Sequence, residues 1–178
     1  MRILGVDIGG TGIKAAVIET QTGKLISEHK RIPTPQPATP ENIAISLAQL
    51  VSEIAWAGPI GCGFPATVHH GVAYSASNID PSWINTDAQT LFSQVTGQPC
   101  FVVNDADAAG MAEMRFGAGQ NNQGVTILLT IGTGIGSAVF VNGQLHPNTE
   151  LGHVRFGDSI AERYCAESVR IKQNLSWQ

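Results

Sequence analysis

The sequence predicts an α/β fold, and three observations support this prediction. An apolar run near the N-terminus leads through a glycine-rich loop into a second apolar run, which is typical of a β hairpin. Apolar residues then recur with helical spacing in segments that alternate with short strand-like runs. The pattern of the opening hairpin also returns at residues 128–143. Together these features favour a repeated domain in which helices cover a sheet.

The chain begins with elements of the first domain. Three strands are expected, the third at "LISEH" after a turn at Thr22-Gly23. A connector with four prolines between residues 31 and 41 is extended, and it ends at a helix start. The helical spacing of apolar residues predicts that this helix covers residues 42–55 and packs one face on the sheet.

The following elements complete that domain. The run "IGCGF" predicts a short strand, and residues 65–83 predict a hairpin and loop outside the core. Next comes a helix capped by Thr86 or Asp87 and closed by Gly97. The segment "CFVVNDADAAGMAEMRFGAG" predicts a buried strand that runs directly into a helix. This order of strands and helices is that of a ribonuclease-H-like domain.

The first glycine loop lies in "DIGGTGIK", residues 7–14, and it is a candidate phosphate site because glycines leave backbone N–H groups accessible. It is not a nucleotide P-loop, since Lys14 is followed by Ala15 rather than by Ser or Thr. It is not a dinucleotide fingerprint either, since a strand follows instead of a helix. A single such loop also serves in ordinary tight turns.

The second glycine loop strengthens the phosphate interpretation. "LLTIGTGIGSAVFVNG" repeats the first hairpin with one loop residue fewer, and Ser137 takes the place of Ala15. A strand and the hairpin signal Asn142-Gly143 follow, which argues against a dinucleotide site. Two matched loops suggest two domains facing each other, with a phosphate chain held between their hairpins.

Composition limits the classes of function. The chain has 14 acidic and 10 basic residues and a pI near 5.6, so it has no general attraction for nucleic acid or membranes. It also lacks a membrane-length apolar run and a signal-peptide pattern, so we expect a cytoplasmic protein. Cys62, Cys100 and Cys165 are far apart, which favours reduced thiols over disulfides or a zinc site.

Several segments together resemble the polyphosphate glucokinase branch of the ROK sugar kinases, within the actin-like, hexokinase-like ATPase superfamily. The resemblance extends from residue 3 to about residue 162. Two departures stand out: Ala66 replaces a usual glycine in the sugar loop, and the cysteine-rich zinc segment of other ROK kinases is absent. The segments that carry the resemblance are "DIGGTGIK", "TPQPATPE", "SNIDPSW", "NDADAAGMAEMRFGAG", "LTIGTGIGSA" and "NTELGH".

The resemblance implies an actin-like ATPase fold with two ribonuclease-H-like domains facing a cleft, at residues 1–104 and 105–178. It implies phosphoryl transfer from inorganic polyphosphate, ATP or both to the 6-hydroxyl of glucose, with Mg²⁺ as cofactor. A homodimer is implied for the complete protein. The residues implied to bind the phosphates are Gly9, Gly10, Thr11, Gly12, Ile13, Lys14, Thr130, Gly132, Thr133 and Gly134.

The Asn-Asp pair after "FVV" is the candidate catalytic element. Asp105, between a strand and a helix, suits a general base for the sugar hydroxyl, and Asn104 suits a neighbouring hydroxyl. From the residues alone, Asp105 could equally be a helix cap; the resemblance favours catalysis. Asp107 is interpreted as an ordinary acid of the first helical turn. Asp7 is expected to face Mg²⁺ through water, because magnesium retains several waters.

The "ELGH" segment is the candidate sugar site. Glu150 and His153 could bind vicinal hydroxyls or could be an ordinary loop pair; the resemblance favours the sugar and adds Glu162. His69 and the histidine after it are interpreted as an exposed pair at a turn rather than a metal site. Lys14 and Arg115 are the candidates for a basic patch that binds polyphosphate.

Two alternative functions stay open. One is a purely ATP-dependent ROK kinase for glucose or an N-acylated hexosamine, and the other is a non-catalytic sugar-binding regulatory fragment. The chain starts at the first strand, so a preceding helix-turn-helix is not expected. Only one helix-like segment, residues 158–173, follows "LGHVRFG", so we expect a truncated second domain. The chain alone would then be inactive or poorly active unless a partner chain supplied the missing half.

Overall fold

The computed structural model describes residues 1–177 and contains two compact units. We refer to Met1–Ala108 as the N-terminal unit and to Ala109–Gln178 as the C-terminal unit. The strands of the N-terminal unit are β1 (Arg2–Ile8), β2 (Gly12–Glu19), β3 (Lys24–Leu25), β4 (Lys30–Pro33), β5 (Ile60–Phe64), β6 (Val68–His69), β7 (Val72–Ala73), β8 (Thr86–Asp87) and β9 (Cys100–Asn104). The helices are α1 (Pro40–Ile54), α2 (Ala88–Thr96) and α3 (Asp105–Phe116), which starts in this unit and ends in the next.

The main sheet of the N-terminal unit has the strand order β3-β2-β1-β5-β9, and β4 pairs with β2 as well. Strands β1 and β2 form the predicted antiparallel hairpin around the first glycine loop. Strands β5 and β9 are parallel to β1 and are reached through α1 and α2. The predicted alternation of strands and helices is confirmed.

The third strand differs from the prediction. The expected strand "LISEH" is replaced by the short β3 and, after a break, by β4. The break has a local cause, because the Val17 amide donates to the hydroxyl oxygen of Ser27 at 2.9 Å rather than to a backbone carbonyl. The Ser27 side chain therefore replaces a backbone carbonyl as the acceptor for one strand-to-strand hydrogen bond, and the chain leaves the sheet at this point.

Both α1 and α2 begin at residues that cap a helix, and α2 also ends at a glycine. Thr39 caps α1 by accepting from the Asn42 amide at 3.4 Å, and Pro40 occupies the first turn. Asp87 caps α2 by accepting from the Thr90 amide at 2.9 Å. Gly97 closes α2 with a φ of 66°, as the sequence predicts.

The core lies on the face of the sheet that α1 and α2 cover. Phe64 of β5 packs against Trp83 and Phe92, with ring centroids 4.6 and 6.2 Å away. The prediction that residues 65–83 form a hairpin is correct, but their exclusion from the core is wrong. Trp83 is fully buried, because its indole N–H finds a partner in the carbonyl of Ala38 at 2.9 Å.

Strand β9 is not wholly buried, contrary to the sequence prediction. Cys100, Val102 and Asn104 are buried, whereas Phe101 and Val103 on the other face are exposed. The strand lies at the end of the sheet order, and α1 and α2 cover only one face of the sheet. Its side chains therefore alternate between the core and solvent.

The C-terminal unit contains the predicted repeat of the hairpin. Strand β10 (Val125–Ile131) pairs in antiparallel register with β11 (Ile135–Val141), and β12 (Gln144–His146) follows a turn at Asn142 and Gly143. Both turn residues have positive φ, 49° and 80°, as this tight turn requires. The apolar side chains at alternate positions of β10 are 48–67% exposed: Val125, Ile127, Leu129 and Ile131.

The end of the C-terminal unit corrects the prediction of a single helical segment at 158–173. Two short strands, β13 (Arg155–Phe156) and β14 (Ser159–Ile160), are followed by α4 (Glu162–Cys165) and α5 (Glu167–Lys172). Ala166 separates the helices because its backbone is extended, with a ψ of 154°. None of the helices formed by residues 1–177 has the length and apolar character needed to span a membrane.

Candidate active site

The first glycine loop is a tight connection between β1 and β2. The Gly9 amide donates to the carbonyl of Gly12 at 3.0 Å. The buried Thr34 holds the loop from the side, because its hydroxyl donates to the Gly9 carbonyl at 2.5 Å and its amide to the Thr11 carbonyl at 3.5 Å. Among residues 1–177, the amides of Gly10 and Thr11 donate to no protein acceptor. These two N–H groups are therefore available to an anion.

The second glycine loop repeats this arrangement within the C-terminal unit. The Gly132 amide donates to the carbonyl of Gly134 at 2.9 Å, which closes a loop one residue shorter than the first. Ser168 takes the part of Thr34, since its hydroxyl donates to the Thr133 carbonyl at 2.7 Å and its amide to the Gly132 carbonyl at 3.3 Å. Within the described residues, the amides of Thr133 and Gly134 likewise have no protein acceptor.

Asp7 and Lys14 face each other across the β1–β2 hairpin beside the first loop. The Lys14 Nζ lies 3.1 Å from the Asp7 Oδ2, and both side chains are about half exposed. The described chain has no cluster of three or more His, Cys, Asp or Glu side chains that could enclose a metal. A single exposed carboxylate still suits Mg²⁺, because this ion retains most of its waters and needs few protein ligands.

Asp105 begins α3 where β9 ends, and its carboxylate accepts from the Ala106 amide at 2.8 Å. It packs closely on the neighbouring strand, because a Cβ on Gly63 would be in van der Waals contact with the Asp105 Cα, at 3.4 Å. Burial raises the pKa of Asp105, and the nearby carboxylates of Asp7 and Asp107 raise it further, against the lowering effect of the Ala106 amide.

Asn104, rather than Asp105, is the residue that caps α3. Its side-chain oxygen accepts from the Asp107 amide at 2.9 Å, and its amide nitrogen donates to the Ala66 carbonyl at 3.0 Å. Asp107 lies in the first turn of α3, as the sequence suggested, and it is only 2% exposed. Ala66 fits its loop without positive φ, which explains how this position accepts a residue other than glycine.

The C-terminal unit brings the three candidate sugar ligands together. His153 lies between two carboxylates, with its Nδ1 3.8 Å from the Glu150 Oε2 and its Nε2 3.5 Å from the Glu162 Oε1. The other oxygen of Glu162 accepts from the Ile135 amide at 3.1 Å, which joins this cluster to the start of β11. Three polar side chains on two segments thus converge on one place.

A buried serine that the sequence analysis did not single out positions the Glu150 loop. Ser137 of β11 is 2% exposed, its hydroxyl donates to the Thr149 carbonyl, and it accepts from the Leu151 amide at 2.9 Å. Glu150 lies between these two contacts. The only sequence signal was that Ser137 replaces Ala15 in the repeat, which marks a polar residue at a core position.

The remaining candidates are the histidine pair, Arg115 and the cysteines. His69 and His70 are exposed at the β6–β7 turn, where His70 has a φ of 49°, as expected for a turn pair. Arg115 belongs to the C-terminal unit, and its guanidinium lies 5.3 Å from the Phe116 ring centroid. Cys62 and Cys100 are buried, and Cys165 is exposed.

Comparisons with known proteins show the relatives of this chain. The chain is 48% identical over 174 residues to the polyphosphate glucokinase of Mycobacterium tuberculosis, an alignment that covers 97% of this chain and 66% of that protein. It therefore spans slightly less than two thirds of the length of this relative. In the relative from Mycobacterium leprae the identity is 46% and the share covered is 55%.

Solved structures of sugar kinases also match this chain. The inorganic polyphosphate/ATP-glucomannokinase from Arthrobacter sp. strain KM matches 99% of this chain and 73% of its own length, with a TM-score of 0.94 and 45% identity. A ROK family glucokinase from Streptomyces griseus, solved with glucose and AMPPNP, matches 97% of this chain with a TM-score of 0.85 and 29% identity. The model of the ROK family matches residues 3–175. The predicted actin-like α/β fold is confirmed, and the chain belongs to the ROK family.

Proposed function

We propose that the protein to which this chain belongs transfers a phosphoryl group from inorganic polyphosphate, ATP or both to the 6-hydroxyl of glucose. The observation that carries the proposal is the pair of carboxylates in the N-terminal unit. Asp105 is a partly buried acid with a raised pKa, and one of the charges that raises this pKa is Asp7 beside the glycine loop. Asp7 is also directly opposite Gly63 in the pairing of β1 with β5, and Gly63 packs against Asp105, so a base for the acceptor and a charged group for the donor are close neighbours.

Asp105 is the proposed general base. In its ionised form it accepts the proton of the sugar hydroxyl as the oxygen attacks the terminal phosphorus of the donor. Its raised pKa makes the ionised carboxylate a stronger proton acceptor than an exposed aspartate. The Ala106 amide fixes one carboxylate oxygen and leaves the other for the substrate.

The two glycine loops are the proposed donor contacts. The free amides of Gly10 and Thr11 in the first loop, and of Thr133 and Gly134 in the second, suit phosphate oxygens. Asp7 is the residue that would hold Mg²⁺, through water, and the ion would neutralise charge on the donor phosphates. Lys14 would be released from Asp7 to face the same phosphates.

Glu150, His153 and Glu162 are the proposed sugar ligands. Carboxylates accept from hydroxyl groups and an imidazole can donate or accept, so the cluster can bind adjacent hydroxyls of a pyranose. This assignment agrees with the names of the relatives, which are glucose or glucose and mannose kinases. A homodimer, which the family resemblance implies, and a cytoplasmic location, which the sequence pattern predicted, are also part of the proposal.

A coupled assay for glucose 6-phosphate, with polyphosphate and ATP supplied separately, tests the proposal together with calorimetric titration of glucose. Product formation from polyphosphate that disappears in Asp105→Asn would support it. Product formation from ATP alone would favour the purely ATP-dependent kinase. Glucose binding without turnover of either donor would favour the regulatory alternative, and unimpaired turnover by Asp105→Asn would exclude the role of this residue.

A further inference from the structure

Three charged residues form a row across the sheet beside the first glycine loop. Asp7 of β1 is directly opposite Lys14 of β2, and Lys14 is directly opposite Arg31 of β4. Directly opposed residues in antiparallel strands share a face of the sheet. The row therefore carries one acidic group followed by two basic groups, on the face of the sheet opposite α1 and α2.

The guanidinium of Arg31 lies against the backbone of the first glycine loop. Its Nη2 is 3.4 Å from the Thr11 carbonyl oxygen. A Cβ on Gly12 would lie 2.7 Å from the Arg31 Nε and 2.9 Å from its Nη2, so the side chain occupies the space that glycine leaves open. The absence of a side chain at Gly12 thus brings a permanent positive charge into contact with the loop.

Of the two cations in this row, Lys14 and Arg31, only Lys14 has an ion-pair partner among the described residues. Lys14 is in an ion pair with Asp7, at 3.1 Å. Arg31 is exposed, and none of the ion pairs formed within residues 1–177 includes it. Its long contact with Thr11 uses one of several N–H donors of the guanidinium. The others can bind an anion without breaking an existing ion pair.

We propose that Arg31 binds phosphate groups of a linear polyphosphate that extends past the first glycine loop across β2 towards β4. This inference rests on the proposed function and deepens it, since it names a residue that contacts the phosphate units present in a long polyphosphate donor but absent from ATP. A guanidinium matches two oxygens of a phosphate group with parallel hydrogen bonds, and it keeps its charge at every accessible pH. Arg31 was not among the basic residues that the sequence suggested.

The position of Arg31 indicates that it contributes to the binding of polyphosphate rather than of ATP. The glycine loop offers its amides to the phosphates that both donors share. Beyond them ATP continues as a neutral nucleoside, whereas each further unit of polyphosphate carries negative charge. A cation located beyond the shared phosphates therefore strengthens the binding of polyphosphate more than the binding of ATP.

Calorimetric titration of the chain with long-chain polyphosphate, tripolyphosphate and ATP tests this inference without needing turnover. We expect Arg31→Gln to weaken long-chain polyphosphate binding about tenfold, as for the loss of one charge-assisted contact. Its salt dependence should also become less steep, because one fewer cation contacts the chain. ATP binding should change by less than about threefold. Arg31→Lys should fall between Arg31→Gln and the unchanged protein, since it keeps the charge but loses the forked geometry.

Arg2→Gln is the matched control, because Arg2 is exposed on the same sheet but at the opposite end of β1. An unchanged polyphosphate affinity in Arg31→Gln, an equal loss in Arg2→Gln, or no polyphosphate binding by the unsubstituted chain would each overturn the inference. Binding that depends on Arg31 without glucose 6-phosphate formation would leave the inference standing and count against the proposed kinase. Circular dichroism at the titration temperature verifies that each variant is folded.

Discussion

The side-chain amide of Asn104 donates to the carbonyl oxygen of Ala66 at 3.0 Å. The same side chain accepts from the Asp107 amide at 2.9 Å, so it both caps α3 and ties the end of β9 to the loop after β5. These two hydrogen bonds fix the backbone at Asn104 and therefore position the next residue, Asp105. The second amide hydrogen of Asn104 could still reach a sugar hydroxyl, so that role stays a prediction.

Asn104→Ala should lower the free energy of unfolding by about 2 kcal/mol, because it removes a helix cap and leaves the Ala66 carbonyl without its side-chain donor. Urea unfolding followed by circular dichroism measures this change. Asn104→Ser is the control, since it keeps an acceptor for the Asp107 amide and should recover part of the loss. An alanine variant as stable as the unsubstituted chain would show that these bonds contribute little.

Asp105→Asn should reduce turnover by about a hundredfold or more while leaving glucose affinity nearly unchanged, as expected for loss of a general base. The activity of the unsubstituted protein should rise with pH through the pKa of this carboxyl, which burial and nearby carboxylates raise above the usual aspartate range. Asp107→Asn would lower that pKa by removing one negative charge, so the acid limb of the profile should move to lower pH. A limb that stays in place would mean that another group titrates.

The Asp105 carboxyl should also make the stability of the chain depend on pH. Stability should fall as pH rises, whereas activity should increase. Because its pKa is raised on folding, the stabilisation it gives is complete below the ordinary aspartate pKa of about 3.9 and is lost as pH rises through the folded value. At neutral pH, Asp105→Asn should therefore melt at a higher temperature than the unsubstituted chain. The difference should vanish in acid. Thermal unfolding at several pH values measures it, and a variant that melts lower at neutral pH would contradict the expectation.

The sequence predicted the hairpins and the caps of α2 well because their signals are local. Glycine spacing, the Asp87 cap and the repeated loop each depend on a few adjacent residues. The burial of Trp83 was missed because its acceptor, the Ala38 carbonyl, is distant in sequence. The clamps of Thr34 and Ser168 on the two loops were missed for the same reason. Composition likewise could not show that Arg31 lies against Gly12, which depends on strand register.

Ser137→Ala should weaken glucose binding about tenfold and leave donor binding unchanged, because it removes a buried hydroxyl that fixes both neighbours of Glu150. Titration calorimetry with glucose and with polyphosphate separates the two effects. Ser46→Ala is a suitable control, since its hydroxyl bonds to a carbonyl within α1, in the other unit. Reduced stability with unchanged glucose affinity would mean that Ser137 supports the fold but not the sugar site.

Thr34→Val should weaken polyphosphate and ATP binding by similar factors, in contrast to the selective effect expected at Arg31. Valine keeps the shape of threonine but cannot donate to the Gly9 carbonyl, so the first glycine loop loses its side-chain clamp and its free amides become less well oriented. The phosphates nearest this loop are common to both donors. We expect a loss of about 1 kcal/mol in stability as well, the usual net value of one hydrogen bond. Titrations with both donors, beside urea unfolding, measure these effects. A loss confined to polyphosphate would place Thr34 with Arg31 on the path of the longer chain, and unchanged binding of both donors would mean that the loop keeps its conformation without the clamp.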